Sequence, residues 1–180
     1  MEDRPTRDRA SRAQFIVTTA RELAEAEGWP AVTTRRLSGV LGFSQPVLYG
    51  HFPTMRAIMA ATAMEGFAEL AVALRRPRRG ASDVGRVARL YLDFAAAHPA
   101  LYEAMFTSAE GLAFGTAEAQ APLIDAFTPI REVVGDDETL AEVLWATLHG
   151  LVTLDATGRL RPSKRAARLR AVTQRFGASA

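Results

Sequence analysis

Apolar positions recur at helical spacing along the chain, and nowhere in the strict alternation of a half-buried strand. From about Ala10 to Glu27, the residues Ala13, Ile16, Val17, Ala20, Leu23 and Ala24 fall on one stripe. This predicts a first helix, stopped at Gly28. Thr33 is a suitable N-cap for a second, short helix to Leu41, and Gly42 makes a turn. Ser44 caps a third helix, with Pro46 in the first turn where a missing N–H costs nothing. Pro53 and Thr54 open a fourth that continues to about Leu74. After the break RRPRRG (75–80), a fifth helix runs from Ser82 to Ala97 and stops at His98-Pro99. A sixth covers Ala100 to Thr107, and Ser108–Thr116, with two glycines, reads as a loop. A seventh spans Ala117–Val134, shortened or bent by Pro122 and Pro129. An eighth runs from Asp136 or Asp137 to Thr157, and a ninth, capped by Ser163, ends near Phe176. The expected fold is all-α, with about nine helices.

The densest pattern is TTRRLSGVLGFSQPVLYGHFPTMRAI (33–58). Leu37, Val40 and Leu41 form an apolar face on the second helix, Phe43 fills the turn, and Leu48 and Phe52 complete a small core. Gly42 lets the chain reverse, because glycine tolerates positive φ. Gln45, Pro46, Val47, Tyr49 and Gly50 are then left on or near the outer face of the third helix. A helix N-terminus presenting Ser44, Gln45 and small apolar groups suits the DNA major groove. Gln45 has the groups to pair with adenine, and Val47 to meet a thymine methyl. Thr34, Arg35, Tyr49 and His51 are candidate phosphate contacts, which position a protein without reading sequence, and Thr54 is a further candidate DNA contact. The same spacing also suits a helical hairpin packed in a core.

Charge sharpens the picture more than composition does. Net charge is +2 over 180 residues, but Arg4, Arg7, Arg9 and Arg12 crowd the N-terminus. Residues 90–157 hold eleven acidic side chains against Arg131 alone, and seven basic residues follow from Arg159 onward. The basic N-terminus either faces phosphates or is a solvated arm. The absence of cysteine excludes disulfides, thiolate metal sites and cysteine nucleophiles. The start of the chain is charged and carries no apolar signal segment, and no apolar run approaches a bilayer's width, so a soluble, cytoplasmic protein without membrane association is expected.

Enzyme chemistry has little to stand on. No histidine of His51, His98 and His149 stands four residues from another metal ligand, and neither a glycine-rich phosphate loop nor a GxSxG motif is present. No enzymatic activity, metal or cofactor is expected. The second half instead concentrates Phe94, Tyr102, Met105, Phe106, Leu112, Phe114, Phe127, Trp145 and His149. These residues either line a ligand pocket or fill a core, with His149 a polar anchor or a satisfied core histidine. The eighth helix is apolar nearly all round (Leu140, Val143, Leu144, Trp145, Leu148, Leu151, Val152, Leu154), so it must be buried on more than one side. The ninth adds Leu169, Val172 and Phe176 at helical spacing, and a partner subunit is one way to cover the excess.

Thr33, Arg35, Leu37, Leu41-Gly42-Phe43-Ser44, Leu48-Tyr49, His51-Phe52-Pro53 and Ile58 together resemble the TetR family of bacterial transcriptional regulators. Residues 91–106 and the Trp…His-Gly helix 144–160 resemble one subfamily of its regulatory domains. The resemblance implies a helix-turn-helix domain over 1–53 and a ligand-binding and dimerisation domain over 54–180. It implies a homodimer joined by a four-helix bundle of the last two helices, here through Leu144, Leu148, Leu151, Val152, Leu169, Val172 and Phe176. It also implies a small-molecule effector, for which Phe94, Tyr102, Met105, Phe106, Phe127, Trp145 and His149 are the candidates. The expected function is a repressor on a pseudo-palindromic double-stranded DNA operator, released by a small apolar or amphipathic effector. The alternative is a helical ligand-binding or adaptor module with weak or lost DNA binding. Three departures bear on it: Met55 stands where the family commonly has a phosphate-binding lysine, Gly50 where a basic or polar residue is common, and Ser38 where alanine is usual.

Overall fold

The computed structural model describes residues 4–75, 83–107 and 120–177. Regular structure among them is helical: α1 (Arg4–Glu27), α2 (Thr34–Leu41), α3 (Gln45–His51), α4 (Met55–Arg75), α5 (Asp83–Ala97), α6 (Pro99–Thr107), α7 (Ala121–Glu132), α8 (Glu138–Ala156) and α9 (Arg165–Gly177). Short 3₁₀ turns stand at Trp29–Ala31 and Pro162–Lys164. The expected segments 76–80 and 108–116, the start of the seventh helix at 117–119, and Leu112 and Phe114 lie outside the described residues.

Local chemistry accounts for most boundaries. α1 begins at Arg4, earlier than the apolar stripe requires, because arginine and alanine are good helix formers and Pro5 falls in the tolerated first turn. It ends where Gly28 takes φ +82°, a region that disfavours any other residue. Thr33 caps α2 by accepting from the Arg36 amide at 3.2 Å, and Gly42 closes it at φ +68°. Thr54 caps α4 through the Ala57 amide at 3.0 Å, and Asp137 caps α8 through the Leu140 amide at 2.9 Å. Two expected caps differ. Ser44 occupies the N-cap position of α3, but its hydroxyl makes no capping hydrogen bond. Ser163 lies inside the second 3₁₀ turn, because Pro162 opens that turn first and α9 follows it.

The chain forms two compact units, and among the described residues the breaks between them fall at 66/67 and 97/98. The first unit comprises α1, α2, α3, α4 as far as Gly66, and α6. Its core is Ile16, Ala20, Ala24, Val32, Leu37, Leu41, Leu48, Ile58 and Ala100, with Leu23, Trp29, Phe43, Phe52 and Met55 packed against it. Val40, expected on the buried face of α2, is 56% exposed, because only the i, i+4 pair Leu37 and Leu41 points inward. The second unit comprises the rest of α4 with α5, α7, α8 and α9. There α5 packs on α9, α8 and α7, and Leu74, Val87, Tyr91, Ile130, Leu144 and Leu148 are buried.

α4 corrects the expectation that no segment could span a bilayer. It is 21 residues long, with a mean hydropathy of 1.5 over its most apolar window, so by length and composition it qualifies. Its apolar side chains have an internal use instead: Ile58, Phe67, Leu70 and Leu74 are buried, as in the core helix of a globular fold.

Candidate DNA-binding head and ligand cavity

The head is built on Leu48. At 2% exposure it pins α3 to the core of the first unit, and this rotation turns the neighbouring positions outward. Ser44, Gln45, Pro46, Val47 and Tyr49 are exposed in consequence, as are Arg35 on α2 and Thr54 ahead of α4. Thr34 and His51 are half-buried. The Thr34 hydroxyl lies 3.4 Å from the Tyr49 hydroxyl, which links the start of α2 to the outer face of α3. Every expected DNA-contacting residue therefore lies on α2, α3 or the turns on either side of α3. With no capping bond to make, the Ser44 hydroxyl is available at the tip of α3.

One residue of the head was not singled out in the sequence. Arg9 on α1 donates from its guanidinium to the Gly50 carbonyl at the end of α3, at 3.1 Å. A cation suits a helix C-terminus, where carbonyls lack partners. The signal available was the cluster of N-terminal arginines, which does not by itself say which of them reaches α3. Met55 sits half-buried against the core, consistent with an apolar residue there instead of a solvent-seeking lysine.

The second unit holds a cavity of about 640 Å³. α7 contributes Leu123, Ile124, Phe127, Ile130 and Arg131, and α8 contributes Glu138, Glu142, Trp145 and Ala146. Phe67 and Leu70 of α4 and Tyr91 of α5 complete the wall. The volume is that of a drug-sized ligand site, and the lining is mostly apolar with a few polar groups. Trp145 is held in place twice. Its indole N–H donates to the Tyr91 hydroxyl at 3.1 Å, and its ring meets Phe127 edge-on, with centroids 6.0 Å apart.

Of the expected ligand residues, Phe127 and Trp145 come together at this cavity. Phe94 is buried but is not part of its lining. His149 lies one turn beyond Trp145 on α8, half-buried, and burial lowers its pKa below the ordinary histidine value. Tyr102, Met105 and Phe106 are on α6, in the first unit, where Tyr102 and Phe106 pack ring to ring at 4.6 Å. Tyr91, Glu138 and Glu142 were missed, since nothing local distinguishes them from core and surface positions.

A family profile described as bacterial regulatory proteins, tetR family, matches residues 16–62. A second, described as tetracyclin repressor-like, C-terminal domain, matches residues 84–176, more than half of the chain. The chain belongs to the TetR family. An uncharacterized HTH-type transcriptional regulator of Mycobacterium tuberculosis is 28% identical over 154 residues, covering 81% of this chain and 70% of its own. Another, from Bacillus subtilis, is 34% identical over 94 residues, covering 51% of this chain and 49% of its own, so the match spans about half of that relative. Among solved structures, a Rhodococcus protein of unknown function superposes with a TM-score of 0.71 at 24% identity, covering 92% of this chain and 93% of its own. That likeness establishes the fold. In this TetR-family chain, the first profile falls on α1, α2, α3 and the start of α4, and the second on α5 to α9.

Proposed function

We propose that the protein is a cytoplasmic, ligand-responsive transcriptional repressor, not an enzyme, that binds a pseudo-palindromic operator as a homodimer. The observation that carries this reading is the exposed N-terminal face of α3, with Leu48 buried beneath Gln45, Pro46, Val47 and Tyr49. Such a face enters the major groove, and two of them in a symmetric dimer read successive half-sites. Gln45 and Val47 are the base readers. Thr34, Arg35, Ser44, Tyr49, His51 and Thr54 hold the sugar–phosphate backbone.

The effector enters the cavity walled by Phe127 and Trp145. It releases the operator only to the extent that it binds one state of the protein better than the other. The dimer face lies on α8 and α9. Leu144, Leu148, Val172 and Phe176 are enclosed in this chain's own core and support that face from beneath. Leu151, Val152 and Leu169 are half-buried, and Val143 and Leu154 stand 50% and 39% exposed beside them.

The test is a titration of the purified chain, by fluorescence anisotropy at low salt, against DNA from upstream of its own gene and against scrambled DNA of equal length. Selective binding supports the repressor reading. Equal binding to both, or none, refutes it and leaves the ligand-binding module with a weakened head, the reading that Met55 favours.

A further inference from the structure

The wall of the cavity is asymmetric. α7 and α8 are joined by the short 133–137 turn, so they run antiparallel, and residues near that turn gather at one end. Arg131 and Glu138 occupy that end, Glu142 follows one turn along α8, and Phe127 and Trp145 lie beyond it. The cavity therefore has a charged end and an aromatic end.

The sign of the charged end follows from its pairing. The Arg131 guanidinium lies 3.1 Å from Asp136, which neutralises it. Glu138 and Glu142 make no hydrogen bond or ion pair among the described residues. Glu138 has a structural use in the first turn of α8, where an acid favours the helix dipole. Glu142 lies beyond that turn, where the dipole effect has faded, and still faces the cavity. At the aromatic end, the Trp145 N–H is engaged by Tyr91, so it is not presented as a donor to an anion. The faces of aromatic rings are electron-rich and attract cations.

We infer that the effector is an organic cation with an aromatic or bulky apolar body. The body packs against Phe127 and Trp145, and the positive charge is met by Glu142 and Glu138. This rests on the reading of the cavity as an effector site, and deepens it to a class of ligand.

Tetraphenylphosphonium and tetraphenylborate have the same four-phenyl shape and opposite charge, and N-phenyl-1-naphthylamine is a neutral fluorescent probe. Binding of all three to the full chain is measured by calorimetry or by fluorescence. The phosphonium is expected to bind about tenfold or more tighter than the borate. That preference runs against the chain's net charge of +2, which by itself favours the anion. Glu138→Gln with Glu142→Gln is expected to abolish it while leaving the neutral probe bound, and these exposed positions are not needed for the core. Equal binding of the two ions, preference for the borate, or a preference that survives both substitutions overturns the inference while the neutral probe still reports an effector site. Failure of all three to bind removes the effector site and this proposal with it.

Discussion

Glu25 closes the open end of α6 at Leu101. Its Oε1 accepts the Leu101 amide N–H at 3.0 Å, and its Oε2 accepts the adjacent Ala100 amide at 3.1 Å. The first amides of a helix have no partner within it, and a carboxylate there also favours the helix dipole. Trp29 adds a bond from its indole N–H to the Ala100 carbonyl at 2.8 Å. One side chain of α1 thus performs for α6 the task that a local cap performs elsewhere. Glu25→Ala is expected to cost about 1–2 kcal/mol, the usual loss for a missing cap, and Glu25→Gln less, because its amide oxygen still accepts. Chemical denaturation of the two variants measures both, and unchanged stability of Glu25→Ala would show that the carboxylate bonds are not what matters.

The two proposed classes of DNA contact are expected to respond differently to substitution. If Tyr49 holds the backbone as proposed, Tyr49→Ala is expected to weaken binding by a similar factor on every DNA sequence, about tenfold. Gln45→Ala is expected to change base preference at one position in each half-site. Binding to a randomised operator library, sequenced after selection, separates the two. An unchanged preference for Gln45→Ala would remove it as a base reader.

Gly66 of α4 packs tightly against Met105 and Leu101 of α6. A Cβ built there would lie 2.7 Å from Met105 Sδ and 3.0 Å from Leu101 Cδ1. Alanine in a helix interior is favoured over glycine by about 1 kcal/mol, while overpacking costs about 1–3 kcal/mol. Gly66→Ala is therefore expected to be neutral to destabilising in the native background. In a Met105→Ala background the same change is expected to be less destabilising, because only the Leu101 contact remains. A double-mutant cycle by thermal denaturation reads this coupling, and additive effects would refute the contact.

Ser38 carries a buried hydroxyl with no hydrogen-bond partner among the described residues. Desolvating such a group without compensation costs about 1–3 kcal/mol, and alanine is the better helix former. Ser38→Ala is expected to raise the melting temperature. A fall would show that the hydroxyl is satisfied.

Leu154→Arg places a charge on the open side of α8, whereas Leu144, with no exposure, belongs to the chain's own core. Sedimentation velocity should show Leu154→Arg as a folded monomer at micromolar concentration, while Leu144→Arg should lose helical circular dichroism. An unaltered dimer with Leu154→Arg would place the interface elsewhere.

The helix-turn-helix was legible because its signals are local. Thr33 reaches an amide three residues away, Gly42 supplies its own φ, and the buried pair Leu37 and Leu41 is one helical turn apart. The cavity was legible only in part. Phe127 and Trp145 announce themselves as aromatics in an apolar helix. Glu142 looks like any surface carboxylate until α7 is laid beside it, and Tyr91 comes to Trp145 from 54 positions away.

The chain's own pattern determined the helices, most of their caps and the outward face of α3, because hydrogen bonds and apolar spacing within a few residues decide these. Tertiary packing decided what such patterns leave open. It assigned α6 to the head through Glu25 and Trp29, turned Val40 out and Leu41 in, and left Val143 and Leu154 uncovered while enclosing Leu144 and Leu148. An apolar residue can be buried in any of several directions, and only the neighbours brought to it from distant parts of the chain select one.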